Sequence, residues 1–448
     1  MTTTDKESTL EAGERSEQSQ LAIHGGSPVR TRPLPLEFPG IHYMDEEEIE
    51  AANRVLRARS PFRYYGIAPT GEVKEFEKEF ATYLGLPYAV AVTSGTGALH
   101  TALSALGVGP GQEVIVPAYM WVSVVAAVVN LGAIPVLADI DDTFGIDPEM
   151  LPHRITPRTR GIIAVHMSGA PINIKSLAKI AREHSLFLLE DCAQANGASI
   201  DGRKVGTFGD MAVFSFQMNK NMTSGEGGCV VTRNECLYHR AVASHDLGYA
   251  RDDQGRLIVD DPDLCVWGRG YRLDELRGAL LRVQLRKLPK IVESMHRSKY
   301  RIRQALERLP GINLRRIVDS AGDTGAFLIT IYESLEIAEN VNHALRAEGI
   351  ATYPQGMSNV VMTDWGLHIY HNIVSLVSKR SVDKAGFPWN LVENAGSEKR
   401  YEKGTCPVAD RLFERSIIMS IPSCLTPEDE ADVIKAFAKV MSHYVRGT

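Results

Sequence analysis

The sequence predicts an α/β protein built on a mostly parallel sheet, followed by a smaller α+β domain. Two observations carry this. Between Tyr88 and Thr232, short apolar runs of four to seven residues alternate with helical stretches. Strands this apolar have no polar face, so helices must cover both sides of the sheet, as in parallel sheets. After one long helical stretch, from about Tyr271 to Leu309, the pattern changes to strands and helices of a second unit. A chain of 448 residues is too long for one small core and divides into a large and a smaller domain.

The elements follow in order. Residues 1–22 are polar, carry acidic residues and lack an apolar signal core, so they are expected to be a disordered tail with no export signal. "HGGSPVRTRPLPLEFPG" is an extended, Pro-rich arm. "DEEEIEAANRVLR" has helical spacing behind an acidic first turn, and "GEVKEFEKEFATYLG" is an amphipathic helix closed by Gly85. Then come strand "YAVAVTSG", helix "TGALHTALSALGVGPG", strand "EVIVPAY", helix "VSVVAAVVNLGA" and strand "IPVLADI". Strand "RGIIAVHMSG", helix "IKSLAKIAREHS", strand "LFLLEDCAQA" and the short strands "MAVFSF" and "GGCVVT" complete the run.

Residues 23–290 are thus expected to hold the arm and the large domain, and residues 291–448 the small one. The small domain has strands "AFLITIYE" and "RSIIMSIP" and helices "IAENVNHALRAEG" and "PEDEADVIKAFAKVMSHYV". Inside it, from Gly356 to Cys406, lies a long irregular segment rich in Tyr, His, Trp, Gly and Pro. Loops of this length are functional or disordered, and the aromatics argue against disorder.

Composition narrows the function. A hydrophobic content of 44% with 23% charged residues is that of an ordinary soluble globular protein. The net charge of -6 makes no case for a nucleic-acid surface, and no apolar run has the length of a membrane-spanning helix. The six cysteines are dispersed and form no CxxC pair, which fits reduced thiols in a cytoplasm.

Ligands on open parallel sheets bind beyond the carboxyl ends of the strands, and four features fall there. "TSGTGAL" runs from a strand into a helix start, where backbone N–H groups suit a phosphate and the hydroxyls of Ser94 and Thr96 add donors. The same residues would also serve as a plain N-cap. Trp121, in "PAYMWVS", is either core or a flat face for an aromatic ligand. In "LLEDCAQANGA", Glu190 and Asp191 end an apolar strand, and a carboxylate there needs a partner such as a protonated ring nitrogen. Gln194 could bond a ring hydroxyl. Finally, in "FSFQMNKNMTSGEGGCVV", Lys220 sits between an apolar strand bearing Ser215 and a Gly-rich turn. A desolvated lysine beside an aldehyde cofactor forms a Schiff base. A phosphate cradle, a stacking ring, a carboxylate for a ring nitrogen and a lysine nucleophile together describe a site for pyridoxal 5′-phosphate (PLP).

"AVTSGTGALHTAL", "GQEVIVPAYMWVS", "EDCAQANGA", "GTFGDMAVFSFQMNKNMTSGEGG" and "GYRLDELRGALLRVQL" resemble the DegT/StrS family of PLP-dependent aminotransferases. The resemblance runs from about His24 to the C-terminus. It implies fold type I, with a seven-stranded mixed sheet, a small C-terminal domain and a homodimer whose sites lie at the interface. It also implies amino transfer from glutamate or glutamine to a keto sugar or keto cyclitol, in secondary-metabolite or surface-sugar pathways. By matching positions it makes Lys220 the aldimine lysine, which moves the proton, and Asp191 the partner of the pyridine nitrogen. Gln194 falls near the ring hydroxyl, Trp121 on the ring face, and Gly95, Thr96 and Ser215 at the phosphate.

The chain departs from the family pattern in two places. In "GRGYRL", Gly270 stands where the family has an Asn that reaches the neighbouring subunit's phosphate, and Met120 with Trp121 replaces a Thr-aromatic pair. Gly270 is also explained by a tight turn alone. The segment from Gly356 to Cys406 resembles the cyclitol and antibiotic branch more than the nucleotide-sugar branch. Two other readings stay open: a different PLP reaction, and a PLP-binding pathway protein without transaminase activity. Lys220 argues against the first, because the family's dehydratases carry His at that position.

Overall fold

The computed structural model of the protein describes residues 20–444 apart from 253, 353–357, 382 and 398. The large domain is organised on a sheet of β1 (Tyr88–Val92), β2 (Glu113–Pro117), β3 (Ile134–Ala138), β4 (Thr159–Val165) and β5 (Phe187–Asp191). A small separate hairpin follows, β6 (Ser199–Ile200) and β7 (Arg203–Lys204), and then β8 (Met211–Ser215) and β9 (Gly228–Thr232) return to the main sheet. The order is β1-β9-β8-β5-β4-β2-β3. Only β9 runs against the others, pairing antiparallel with both β1 and β8.

Side-chain alternation explains why both faces are covered. Val114 and Val116 of β2 join one core cluster, while Ile115 between them joins another on the opposite face. All three are completely buried. Successive residues of a strand point to opposite faces, so a run of valine and isoleucine requires a core on each side. Local signals set the helix ends. Asp45 and Glu48 form a capping box for the helix Glu46–Ala58, and Gly85, at φ +70°, ends the helix Glu72–Leu84.

The helix Glu275–Leu306, started by Asp274 accepting from the Arg277 N–H, joins the two domains. Its first part packs Ala279 and Val283 on Ala51 and Val55. Further along, Ile291, Met295 and Ile302 enter the core of the small domain. That domain's sheet contains β10 (Asn313–Leu314), β11 (Phe327–Ile331), β12 (Asn359–Val361) and β13 (Ser416–Ser420), in the antiparallel order β10-β11-β13-β12. The helices Leu335–Ala347 and Pro427–Tyr444 contribute Val341, Leu345, Val433 and Phe437 to the same core.

The structure differs from the sequence reading in three places. The expected tail, residues 1–22, falls outside the described residues as far as 19, but Leu21 is 1% exposed and packs into the small-domain core. The arm packs on the small domain as well as touching the large one at Lys220. Arg30 is buried and pairs with Asp429 and Asp432, each at 2.8 Å, and Leu34 joins the same apolar cluster. An apolar side chain and a buried cation both go where their partners are, whatever the sequence order.

The third difference concerns the long segment. Gly356 itself lies outside the described residues, and the rest is a series of single turns that packs on the large-domain core through Trp365, Ile369, Tyr370 and Tyr401. The helix Pro407–Arg415 follows it, with its first turn capped by Asp139 of the large domain, which accepts from Val408 N–H at 2.9 Å and Ala409 N–H at 2.8 Å. The helix Glu235–His245 was not anticipated.

Candidate active site

Because β1, β2, β5 and β8 are parallel, their carboxyl ends lie along one edge of the sheet. The reversed strand β9 begins there, since Gly228 pairs with both Val92 and Ser215. The connection from β8 to β9 is therefore a crossing on that edge, and Lys220 lies on it. A cavity of about 600 Å³ opens at this edge between the two domains. The large domain lines it with Gly95, Thr96, Trp121, Asp191, Gln194, Ser215 and Lys220, so all seven sequence-predicted positions share one space.

At one end of the cavity the helix Gly95–Ala105 starts. Ser94 is its cap, accepting from the Gly97 N–H at 3.0 Å. The N–H groups of the first turn have no helical acceptor and carry the positive end of the helix dipole. Hydroxyls gather around them: Thr96 Oγ1 lies 2.7 Å from Ser123 Oγ, and Ser215 faces Gly95. A Cβ at Gly95 would lie 2.8 Å from the Ser215 Cβ, so only glycine allows the helix start and the end of β8 to approach this closely.

Glu190 and Asp191 are neighbours on β5 and serve different faces. Glu190 is completely buried and accepts from the N–H groups of Gly206, Phe208 and Gly209 at 2.9, 2.6 and 2.7 Å, and its Oε2 is 3.1 Å from His166 Nε2. It holds the chain that leads into β8. Asp191 faces the cavity and accepts from the Ala193 N–H at 2.9 Å. Burial raises its pKa, against the lowering effect of that N–H and of the Lys220 charge.

Lys220 is desolvated, which lowers its pKa to about 8 despite the opposing charges of Asp191 and Glu226. Its loop is tied down on both sides. The Asn221 side chain donates to Asn196 O at 2.9 Å, and Asn196 donates to Ser215 O at 2.9 Å. From the arm, the Gly40 N–H donates to Lys220 O at 3.2 Å.

Sequence reasoning missed the residues that close the cavity from other parts of the chain. Glu37 and Pro39 come from the arm, Phe327 from β11, and Trp365 and His368 from the long segment. Segment 368–370 is grafted onto the end of β2: Met120 N–H donates to His368 O at 3.0 Å, and Tyr370 N–H to Ala118 O at 3.2 Å. The aromatic and histidine content of that segment was the available signal, but which residue would face the cavity depends on this tertiary pairing. Trp121, 43% exposed, has its ring 4.7 Å from that of His368.

A family model described as the DegT/DnrJ/EryC1/StrS aminotransferase family matches residues 42–358. The chain is 40% identical over 271 residues to a putative L-glutamine:3-amino-2,3-dideoxy-scyllo-inosose aminotransferase of Micromonospora echinospora, covering 59% of this chain. That match spans 61% of the relative's length. Over 441 residues it is 35% identical to the L-glutamine:2-deoxy-scyllo-inosose aminotransferase of Streptomyces kanamyceticus, covering 95% of this chain and 98% of the relative. Among solved structures, 3-amino-5-hydroxybenzoic acid synthase aligns with a TM-score of 0.72 at 30% identity, over 90% of this chain and 97% of that one.

Proposed function

The chain belongs to the DegT/DnrJ/EryC1/StrS aminotransferase family, and from that premise we propose that it uses PLP to move an amino group from L-glutamine to a cyclic ketone of the keto-cyclitol class. The observation that carries the reading is the single cavity in which the helix-start cradle, Asp191, Trp121 and Lys220 meet. The donor and acceptor classes are supported by the full-length relatives named as L-glutamine:2-deoxy-scyllo-inosose aminotransferases.

The residues present fit PLP. The cradle at Gly95 is one that a Cβ would fill, and hydroxyls and first-turn N–H groups are the donors a phosphate needs. Asp191 is a buried carboxylate whose pKa is raised by burial, the condition of an acid that gains from a cationic partner such as a pyridinium N–H. When bound, PLP supplies an electrophilic aldehyde carbon and a ring that accepts electrons.

The protein's own groups do the rest. Lys220 Nζ, with its pKa near 8, is partly neutral at neutral pH and serves as nucleophile, then as the base and acid that moves a proton. With PLP bound, Asp191 would pair with the ring nitrogen and hold its proton there, Trp121 would offer its face to the ring, and Gln194 would donate to the ring oxygen. The arm holds the Lys220 loop through Gly40, and Trp365 and His368 line the same cavity as Lys220.

We assign the assembly as a homodimer. Large apolar side chains left in solvent support it: Tyr65, Ile67, Val259 and Trp267 are 71%, 80%, 69% and 96% exposed. The two stretches that carry them are linked where Arg251 lies over the Tyr64 ring at 3.8 Å. No helix among the described residues is long and apolar enough to cross a membrane. A cytoplasmic location is supported by six free cysteines.

Purified protein loaded with PLP tests the function. L-glutamine should bleach its visible absorbance, and 2-deoxy-scyllo-inosose should restore it. If bleaching is absent, the activity is wrong. If only a nucleotide-linked keto sugar restores the absorbance, the acceptor class is wrong.

A further inference from the structure

His368, in the long aromatic segment, sits at the junction of three site groups, although the sequence reading gave it no role of its own. Its hydrogen bonds have fixed directions. Ser168 is completely buried, on a turn at φ +58°, and its N–H donates to Gln194 Oε1 at 2.9 Å. A backbone N–H can only donate, so the atom facing it must be the amide oxygen. The Gln194 NH2 group therefore points the other way, where it lies 3.3 Å from His368 Nε2. An amide NH2 also only donates, so His368 Nε2 must offer a lone pair. At the far side of the ring, Nδ1 is 2.9 Å from the carbonyl oxygen of Trp365, which only accepts. Nδ1 must therefore carry the proton. Reasoning from either end gives the same neutral tautomer.

Resting on the reading that Gln194 meets the cofactor's ring oxygen, we infer that His368 is a positioning residue: as the Nδ1–H tautomer it accepts from Gln194, and so fixes the amide with its second N–H turned into the cavity. The small domain thereby sets a donor on the large one. The imidazole is held for this work. Its ring stacks on Trp365 with centroids 4.8 Å apart and leans on Trp121 at 4.7 Å. Burial, with a further contribution from the Lys220 charge, lowers its pKa to about 4, so it stays neutral at physiological pH. A protonated Nε2 would set N–H against N–H and release the amide.

Selective ¹⁵N-histidine NMR of the cofactor-free protein tests this directly, with His368→Phe identifying the signal. The expected result is a proton on Nδ1, a bare Nε2 and no titration above about pH 5. A proton on Nε2, or a titration midpoint near the ordinary histidine value, would overturn the inference. Gln194→Glu removes the donor and places an anion there, so the His368 midpoint should rise by at least one pH unit; an unmoved midpoint also overturns it. PLP titration gives a second readout. His368→Phe keeps the ring packing and should bind PLP about fivefold to tenfold more weakly, the size of one neutral hydrogen bond, with His368→Gln restoring most of it. Unchanged binding in His368→Phe counts against the positioning role. If instead Gln194→Ala binds PLP normally while the His368 tautomer is as expected, the ring-oxygen reading has failed and the His368–Gln194 hydrogen bond stands.

Discussion

Gly95 and Ser215 meet so closely that a Cβ on the first would lie 2.8 Å from the Cβ and 3.1 Å from the hydroxyl of the second. The contact joins the start of a helix to the end of β8, and it sets the width of the proposed phosphate cradle. Gly95→Ala must push Ser215 aside. The protein is expected to fold, because overpacking of one methyl costs about 1–3 kcal/mol. PLP affinity should fall at least tenfold, as one hydroxyl donor and the N–H alignment are lost together, about 1.4 kcal/mol or more. Titration with PLP, followed by fluorescence quenching, checks it. Wild-type affinity in Gly95→Ala would show that the phosphate binds elsewhere.

Lys220→Ala should abolish the visible absorbance of the lysine-bound cofactor and reduce turnover by about 10²–10⁴-fold or more, since nucleophile and proton carrier are removed together. Phosphate contacts remain, so PLP should still bind without covalent attachment and wash out on dialysis. A variant that retains the absorbance would move the assignment to another lysine.

Lys220 also predicts a pH dependence of stability in the cofactor-free protein. Its pKa is lowered from 10.5 to about 8 in the fold, mainly by burial. Between those values the unfolded chain still holds the proton and the folded chain does not, so stability rises with pH across that window. The penalty is complete below pH 8. Buried tyrosines such as Tyr119, raised to about 12, act in the opposite direction at the alkaline end, so the comparison must be a difference. Lys220→Met should be more stable than wild type at pH 7, with the gap closing toward pH 10. A gap that is constant with pH would mean that Lys220 is not desolvated.

Asp191→Asn keeps the shape and the acceptor for the Ala193 N–H but removes the charge. The ring nitrogen would lose the partner that holds its proton, and kcat should fall by about 10²–10³-fold with little change in Tm. Near-normal kcat would mean that the nitrogen is held by another group.

The strands that carry Asp191 and Ser215, and the one that leads to Trp121, were legible because parallel strands buried on both faces read as unbroken apolar runs. Chemistry at their ends stands out as polar residues after them. Lys220 was legible for the same reason. His368 was not, because its place depends on the pairing of segment 368–370 with residues 118–120 at the end of β2, some 250 positions away in sequence. The arm's contacts with the small domain were not legible, because Leu21, Arg30 and Leu34 carry no local mark of their partners. The partners of Arg30, Glu348, Asp429 and Asp432, lie over 300 residues on. Elements set by local periodicity could be read from the chain; contacts of high sequence separation could not.

Gly270 offers the sharpest test of a shared site. It stands at φ +71° with no atom within 4 Å of where a Cβ would lie, so a side chain meets open space and only the backbone conformation resists it. Asparagine tolerates that left-handed conformation better than most residues. The loop is pinned from behind: Gly270 N–H donates to Asp246 O at 2.9 Å, and the Asp246 carboxylate pairs with Arg251 and Arg272. Arg272 is therefore committed within its own chain, whereas Arg269 is exposed and has no ion pair among the described residues. If this loop reaches the partner's phosphate, Arg269 is the donor, and arginine suits phosphate well. Arg269→Ala should then weaken PLP binding about tenfold in the dimer, an effect the size of a charge-assisted hydrogen bond. Gly270→Asn should fold and recover part of that loss when combined with it. Mixing Arg269→Ala with Lys220→Ala subunits gives the decisive measurement. A hybrid dimer has one site with Lys220 facing an intact loop only if the loop acts across the interface, so the mixture should hold tightly bound, absorbing PLP when the contact is intersubunit. If the mixture holds no more absorbing PLP than Arg269→Ala alone, the loop serves its own chain or does not touch the phosphate, and Gly270 is a turn residue only.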